Sequence, residues 1–319
     1  MDKVFGYKKN EKVIFLLDLL ENETKESIFR KILAEQWQTE LENKEIRAEI
    51  VNFNATKSHN ADLPEVCSIG KKETNFKDVF SKIDIIIALT EFSATAPLHK
   101  LAKRYHFRAA SMPGFNEKMM PALELDFNMI KEKVELAYNS LKVDFITVVF
   151  EVQERECEVR FDLRHRKPLK DDGDCSKKGT VINLPTGEAF IAPNDKHNSK
   201  TKGVLPIQQG DKINFYVVEN NKIISAEKQD ELMKKIKKDP AVGNIAEFAI
   251  GVLGEFGIKP CGKTLLDEKL GIHIALGRND HFGGSIGVES FKNKNNVWHQ
   301  DYVYIEEMQP LIKVSEIKF

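Results

Sequence analysis

Short runs of wholly apolar, β-branched-rich residues alternate with segments of helical period through the first 142 residues, and this alternation limits the chain to few architectures. Val13-Ile14-Phe15-Leu16-Leu17 is apolar at every position and Ile83 to Leu89 nearly so, with Asp84 the exception, the pattern of strands buried on both faces of a parallel sheet. Ile46 to Phe53 and Phe107 to Met112 read as further strands. Asn22 to Leu41, with Asn22 or Thr24 as cap, reads as a helix, as do Ala96 to Tyr105 and Asp126 to Leu141. In the last of these, Met129, Val134, Leu136, Ala137 and Leu141 can share one broad face. The β-α-β-α order predicts a small parallel sheet covered by helices, an N-terminal α/β domain over residues 1–142. Neither GxGxxG nor GxxxxGK[ST] occurs in it, so a scaffold or substrate-gating role is expected of this domain rather than nucleotide binding.

The texture changes at Val143. Phe145 to Val152 and Glu156 to Leu163 look like neighbouring strands, and Ile213 to Val218 and Lys222 to Ala226 like a hairpin around Glu219-Asn220-Asn221. Gln229 to Lys238 is a charged helix. Arg164 to Lys178 reads as a loop in which Asp171-Asp172-Gly173-Asp174 marks a turn. An α+β domain over residues 143–319 is expected, and 319 residues suit two domains. Lys and Arg total 48 against 49 acidic residues, a balance that argues against a nucleic-acid surface. No apolar run approaches membrane-spanning length, and the N-terminal residues form no apolar signal core. Cys67, Cys157, Cys175 and Cys261 are scattered without metal-site spacing, and reduced thiols in the cytoplasm are expected.

The candidate chemistry lies in the second domain. In the strand-like Trp298 to Ile305, His299 and Asp301 are two residues apart, so both side chains leave the same face. An imidazole and a carboxylate projecting together make two adjacent metal ligands. His273 lies in a similar setting, Gly271 to Gly277. Glu188 follows a Pro-Thr-Gly turn, Glu247 is a lone charge in the apolar segment Asn244 to Gly251, and Glu268 precedes His273 by five residues. Carboxylates embedded in apolar segments are costly to bury unless paired or bound to metal, and a buried Arg or Lys would account for any of them. His59, His99, His106, His165 and His197 are expected to be ordinary polar residues, and Lys234 to Lys238 a solvated helix face.

Four elements in order resemble the aminopeptidase T/aminopeptidase S family of metallopeptidases. Pro185-Thr186-Gly187-Glu188-Ala189-Phe190-Ile191-Ala192-Pro193 resembles its P-x-G-E-v-f-x-x-P element, and Ala246-Glu247-Phe248-Ala249-Ile250 its G-E-v-a-L element with Ala246 for Gly. Asp267-Glu268 followed by His273-Ile274-Ala275-Leu276-Gly277 resembles D-E-N…H-x-A-x-G, and His299-Gln300-Asp301 resembles the terminal H-x-D. The resemblance implies a hydrolase that removes N-terminal residues from short peptides through water activated by two divalent ions of Zn, Co or Mn. Glu188, Glu247, His273, His299 and Asp301 would be the ligands and Glu268 the general base. Glu255, in Gly254-Glu255-Phe256, competes with Glu247 for one place, but Phe248-Ala249-Ile250 continues the element better. The resemblance also implies a homodimer. Asp280 stands where the family carries a tyrosine, which weighs against peptidase activity more than against metal binding. His281, beside it, is read as a ligand, a partner of a ligand, a substrate-binding group or a plain loop histidine. Two alternatives follow. The chain resembles the related 2,5-dihydroxypyridine dioxygenases, which would need one Fe(II) held by His273, His299 and Asp301; or it is a non-catalytic metal-binding protein.

Overall fold

A computed structural model describes residues 1–319 as two compact units. The first comprises Met1–Phe127 and Gly173–Thr186, the second Asn128–Asp172 and Gly187–Phe319. The sequence places the division at 142/143. In the structure residues 128–142 belong with the second unit, where Lys133 pairs with Glu255 and Glu135 with Lys170. Gly173–Thr186 returns to the first unit because Val181–Asn183 pairs in parallel with Arg108–Ser111.

The first unit is the expected α/β layer structure. Its seven-stranded sheet runs Val181–Asn183, Arg108–Ser111, Ile85–Ala88, Val13–Leu19, Ala48–Asn54, Val66–Ile69, Lys72–Asn75. The first five strands are parallel, and the last two form an antiparallel edge hairpin that the sequence pattern did not announce. Val13–Leu17 is buried throughout, as its unbroken apolar run requires. The helix Lys25–Glu42 is capped by Thr24, whose hydroxyl accepts from the Ser27 amide while the Ser27 hydroxyl accepts from the Thr24 amide. Phe53, Phe76, Phe80 and Phe107 pack in series through the core, Phe76 stacked on Phe80, Phe53 edge-on to Phe76 and Phe107 tilted against Phe80.

The second unit is built from two antiparallel sheets. Six strands, Lys222–Ala226, Lys212–Glu219, Lys202–Gln209, Arg155–Asp162, Phe145–Val152 and Lys313–Lys318, form one. Five, His299–Val303, Ile272–Gly277, Ile245–Gly251, Glu188–Ile191 and Leu169–Asp171, form the other. The segment Arg164 to Lys178 is therefore not all loop: Leu169–Asp171 adds the edge strand, although Leu169-Lys170-Asp171 carries too little apolar pattern to show it. The helix Phe127–Ser140 buries Ile130, Val134 and Ala137, while Met129 and Leu136 are exposed; the buried stripe is narrower than the broad apolar face suggested. Asn220 and Asn221 close the Lys212–Glu219/Lys222–Ala226 hairpin at positive φ, which Asn tolerates better than most residues.

One face of the five-stranded sheet is apolar: Phe248 meets Phe161 of the six-stranded sheet at 5.1 Å between ring centroids. The buried Tyr304 ring also meets Phe150, and its hydroxyl donates to the Pro206 carbonyl at 2.8 Å. Tyr304→Phe keeps the ring and deletes that one bond, so the unfolding free energy measured by denaturant titration is expected to fall by about 1 kcal/mol.

Candidate metal centre

The opposite face of the five-stranded sheet carries the candidate site, and the strand register explains how distant residues meet. Asp301 pairs with Ala275, and Ala275 with Glu247, so one rung sets two carboxylates across a methyl group. On the neighbouring rungs His299 lies opposite Gly277 and His273 opposite Ala249. Glu188 lies between Gly251 and Asp171. Strand alternation points all these side chains to one face, and the alanines and glycines between them leave room.

The distances are those of a converging cluster. His273 Nε2 lies 3.7 Å from Glu188 Oε2, 3.6 Å from Glu247 Oε1 and 4.0 Å from Asp301 Oδ1. His299 Nε2 lies 3.4 Å from both Glu247 Oε2 and Asp301 Oδ1. His299 Nδ1 lies 2.8 Å from the Arg278 carbonyl oxygen, which can only accept; Nδ1 therefore carries a proton and Nε2 is left to face the carboxylates. The structure thus brings together Glu188, Glu247, Glu268, His273, His299 and Asp301. Glu255 lies outside, half-exposed and paired with Lys133.

Two residues of the cluster were missed in the sequence. Lys269 is fully buried and donates to Glu188 Oε1 at 2.8 Å and Glu268 Oε1 at 2.7 Å; Asp171 Oδ2 lies 3.9 Å away. Asp171, read as part of a turn, sits in a strand beside Glu188. Nothing local in Asp267-Glu268-Lys269 marks Lys269 as the buried cation. What buries it is Gly251: a Cβ there would lie 2.3 Å from the Lys269 carbonyl carbon, and one at Gly254 would lie 2.3 Å from the Leu270 oxygen.

The loop after His273 forms a wall of the site. Asn279 donates to Asp195 Oδ2 at 3.1 Å, the Ser285 amide donates to the same oxygen at 2.7 Å, and Arg166 donates to both Asp195 and the Gly283 carbonyl. Thus fixed, Phe282 meets His299 and Phe190 edge-on at 5.8 and 5.7 Å, and the His281 ring lies 5.9 Å from that of His299. Asp280 is held by Arg278 at 2.5 Å and does not join the carboxylate cluster. Within this loop the Gly284 amide donates to the Asn279 carbonyl at 2.9 Å.

Electrostatics follow from crowding and burial. Burial disfavours the charged form of Glu247, but hydrogen bonds from His273 and His299 outweigh it and hold the carboxyl well below its usual range. Burial pushes Glu268 up to about 8, helped by repulsion from Glu188 and Asp301 and opposed by Lys269. His273 is raised to about 9: burial works against the imidazolium, and Glu247, Glu188 and Asp301 overcome it. His281 is pushed down to about 4 by burial and by the His299 charge.

This donor set suits a divalent cation. Glu188 Oε2 is buried without a hydrogen-bond partner among the imidazole and carboxylate groups. The donor atoms of Glu247, His299 and Asp301 all lie within 4.8 Å of one another. Carboxylate oxygen with imidazole nitrogen is a set that Zn, Co, Mn and Fe accept.

No family model matches the chain, and no curated protein matches it in sequence. Solved structures do. The fold is similar to that of 2,5-dihydroxypyridine dioxygenase from Pseudomonas putida, with TM-score 0.60 and 13% identity over 94% of this chain and 87% of that one. It is also similar to that of wild-type AmpT (aminopeptidase T) from Thermus thermophilus, with TM-score 0.52 and 14% identity over 94% of this chain and 89% of that one. At such identities the likeness is one of fold. No helix is long and apolar enough to cross a membrane.

Two outcomes test this geometry. Gly251→Ala drives a methyl group into the Lys269 backbone and is expected to destabilise the protein by about 1–3 kcal/mol, read by denaturant titration. The metal-free protein is expected to lose stability as pH rises from about 6.5 to 9. His273 goes from 6.5 to about 9 on folding and Glu268 from 4.5 to about 8, so the folded chain holds protons that the unfolded chain has released. Glu247 and Asp301 are lowered on folding, so their contribution disappears only in acid. A melting temperature that is flat or rising over that window would contradict the assignment.

Proposed function

We propose that the protein is a metal-dependent hydrolase acting on small substrates, with short peptides bearing a free N-terminus as the leading class. The observation that carries this reading is Glu268, a partly buried carboxyl raised to about 8 beside a cluster of imidazole and carboxylate donors. Glu188, Glu247, His273, His299 and Asp301 would hold the metal. A divalent ion held there would supply Lewis-acid polarisation of a carbonyl oxygen and a lowered water pKa. Glu268, in its ionised form, would accept a proton from the attacking water and return it to the leaving amine. The Lys269 ammonium fixes the Glu268 carboxyl through its 2.7 Å bond and offsets the negative charge around it. His299, oriented through its Nδ1 by the Arg278 carbonyl, presents Nε2 to the site. Phe282 and Phe190 shield that side from water.

A second reading has its own support. His299 and Asp301 with His273 are the two imidazoles and one carboxylate that a mononuclear Fe(II) oxygenase needs, and the dioxygenase fold overlaps this chain with the higher TM-score. Metal content and reaction separate the two. Release of an N-terminal residue from dipeptides by Zn-, Co- or Mn-loaded protein supports the hydrolase; oxygen consumption by the Fe(II)-loaded protein on a dihydroxylated ring supports the oxygenase.

Glu268→Gln is expected to keep the metal content of the wild type and to lower hydrolytic kcat by about 10²–10⁴-fold, because the amide cannot take the proton. His299→Ala removes a donor and is expected to weaken metal affinity at least tenfold in a competition assay with a chelator. Full turnover in the first variant would sink the general-base role, and unchanged affinity in the second would sink the ligand assignment.

A further inference from the structure

Lys269 divides the candidate centre into two unlike halves. On one side its ammonium, with no solvent exposure, donates to Glu188 Oε1 and Glu268 Oε1 and approaches Asp171 Oδ2. It cannot withdraw easily, because its backbone lies directly against Gly251 and the Gly251 amide donates to the Gly271 carbonyl at 2.9 Å. On the other side Glu247, His299 and Asp301 gather their donor atoms within 4.8 Å, with His273 Nε2 at 3.6 Å from Glu247. Glu188 lies between the halves, one oxygen on the ammonium and the other without a hydrogen-bond partner, 3.7 Å from His273 Nε2.

Resting on the metal-dependent reading above, we propose that this centre binds a single divalent ion and that the Lys269 ammonium stands in place of a second one. Two divalent ions held close together need several anionic oxygens to offset their mutual repulsion. Here the ammonium already occupies the inward oxygen of Glu188 and one oxygen of Glu268. A second dication on that side would lose those oxygens and face the fixed positive charge of a lysine that has no solvent exposure. What remains, Glu247, His273, His299, Asp301 and the outer oxygen of Glu188, serves one ion. The exchange also has a use. A lysine cannot dissociate as a metal ion can, so Glu268 keeps its orientation whether or not the ion is bound. The departure from the two-metal expectation therefore rests on one residue, Lys269, where the D-E-N element of the resembling peptidases has an uncharged asparagine.

The test counts ions. Purified protein is stripped with chelator, reloaded separately with Zn and with Mn, dialysed, and its metal-to-chain ratio measured by elemental analysis, with calorimetric titration as a second readout. The wild type is expected to bind one ion per chain, Lys269→Arg one, and Lys269→Met two, the second site opening when the buried charge is lost. Two ions in the wild type would overturn the proposal while leaving the metal-dependent reading intact, as would a single ion in Lys269→Met with a native circular-dichroism spectrum. Should the Met variant fail to fold, the Arg variant and the wild type decide: one ion in each upholds the proposal, two in either overturns it. No ion in the wild type would overturn the metal-dependent reading and this proposal with it.

Discussion

A lysine ammonium sealed from solvent organises the candidate centre. A charge so placed is tolerated only where anionic oxygens meet it, and Lys269 finds them on Glu188 and Glu268. The dependence runs both ways: each of these carboxylates would be expensive to bury without the ammonium. The ion-pair cluster therefore fixes three parts of the second unit at once, the turn around Glu268, the strand Glu188–Ile191 and the edge strand Leu169–Asp171. Glycines make it sterically feasible, because only Gly251 and Gly254 let the Lys269-Leu270 backbone approach the neighbouring chain so closely.

The rest of the centre uses the sheet as a ruler. Cross-strand pairing sets Asp301, Ala275 and Glu247 on one rung, and the histidines occupy the rungs on either side. Strands with a packed reverse face hold such positions well: Phe248 is locked against Phe161, so Glu247 on the same strand has little freedom to swing away. The loop around Phe282 is positioned by different contacts. Asp195 gathers Asn279, Ser285 and Arg166 on its two oxygens, and this polar knot sets the aromatic wall beside His299.

A dioxygenase and AmpT share this fold with the chain, so the fold alone does not choose the reaction. The choice rests on which groups face the metal donors. Under the proposed hydrolase reading, the raised carboxyl of Glu268 and the buried cation at Lys269 would supply proton transfer beside the metal donors.

Much was legible in the order of residues. Apolar runs such as Val13–Leu17 announced a parallel sheet, because a strand covered on both faces must be apolar at every position. The two-residue spacing of His299 and Asp301 announced a shared face, because strand alternation is local geometry. Glu188, Glu247, Glu268 and His273 were picked out as charges and imidazoles in apolar surroundings and by resemblance to a known family. Tertiary structure decided the rest. The edge strand Leu169–Asp171 exists only because Glu188–Ile191 offers it partners. The stripe that helix Phe127–Ser140 buries depends on which face its neighbours reach, not on the width of its apolar pattern. Lys269 drew no notice in the sequence, and the close approach permitted at Gly251 sets its backbone inward. Sequence alone determined which residue types could hold a cation. Whether a lysine sits among them depends on contacts between residues 81 positions apart, as Lys269 and Glu188 are, and a local pattern carries no record of such contacts.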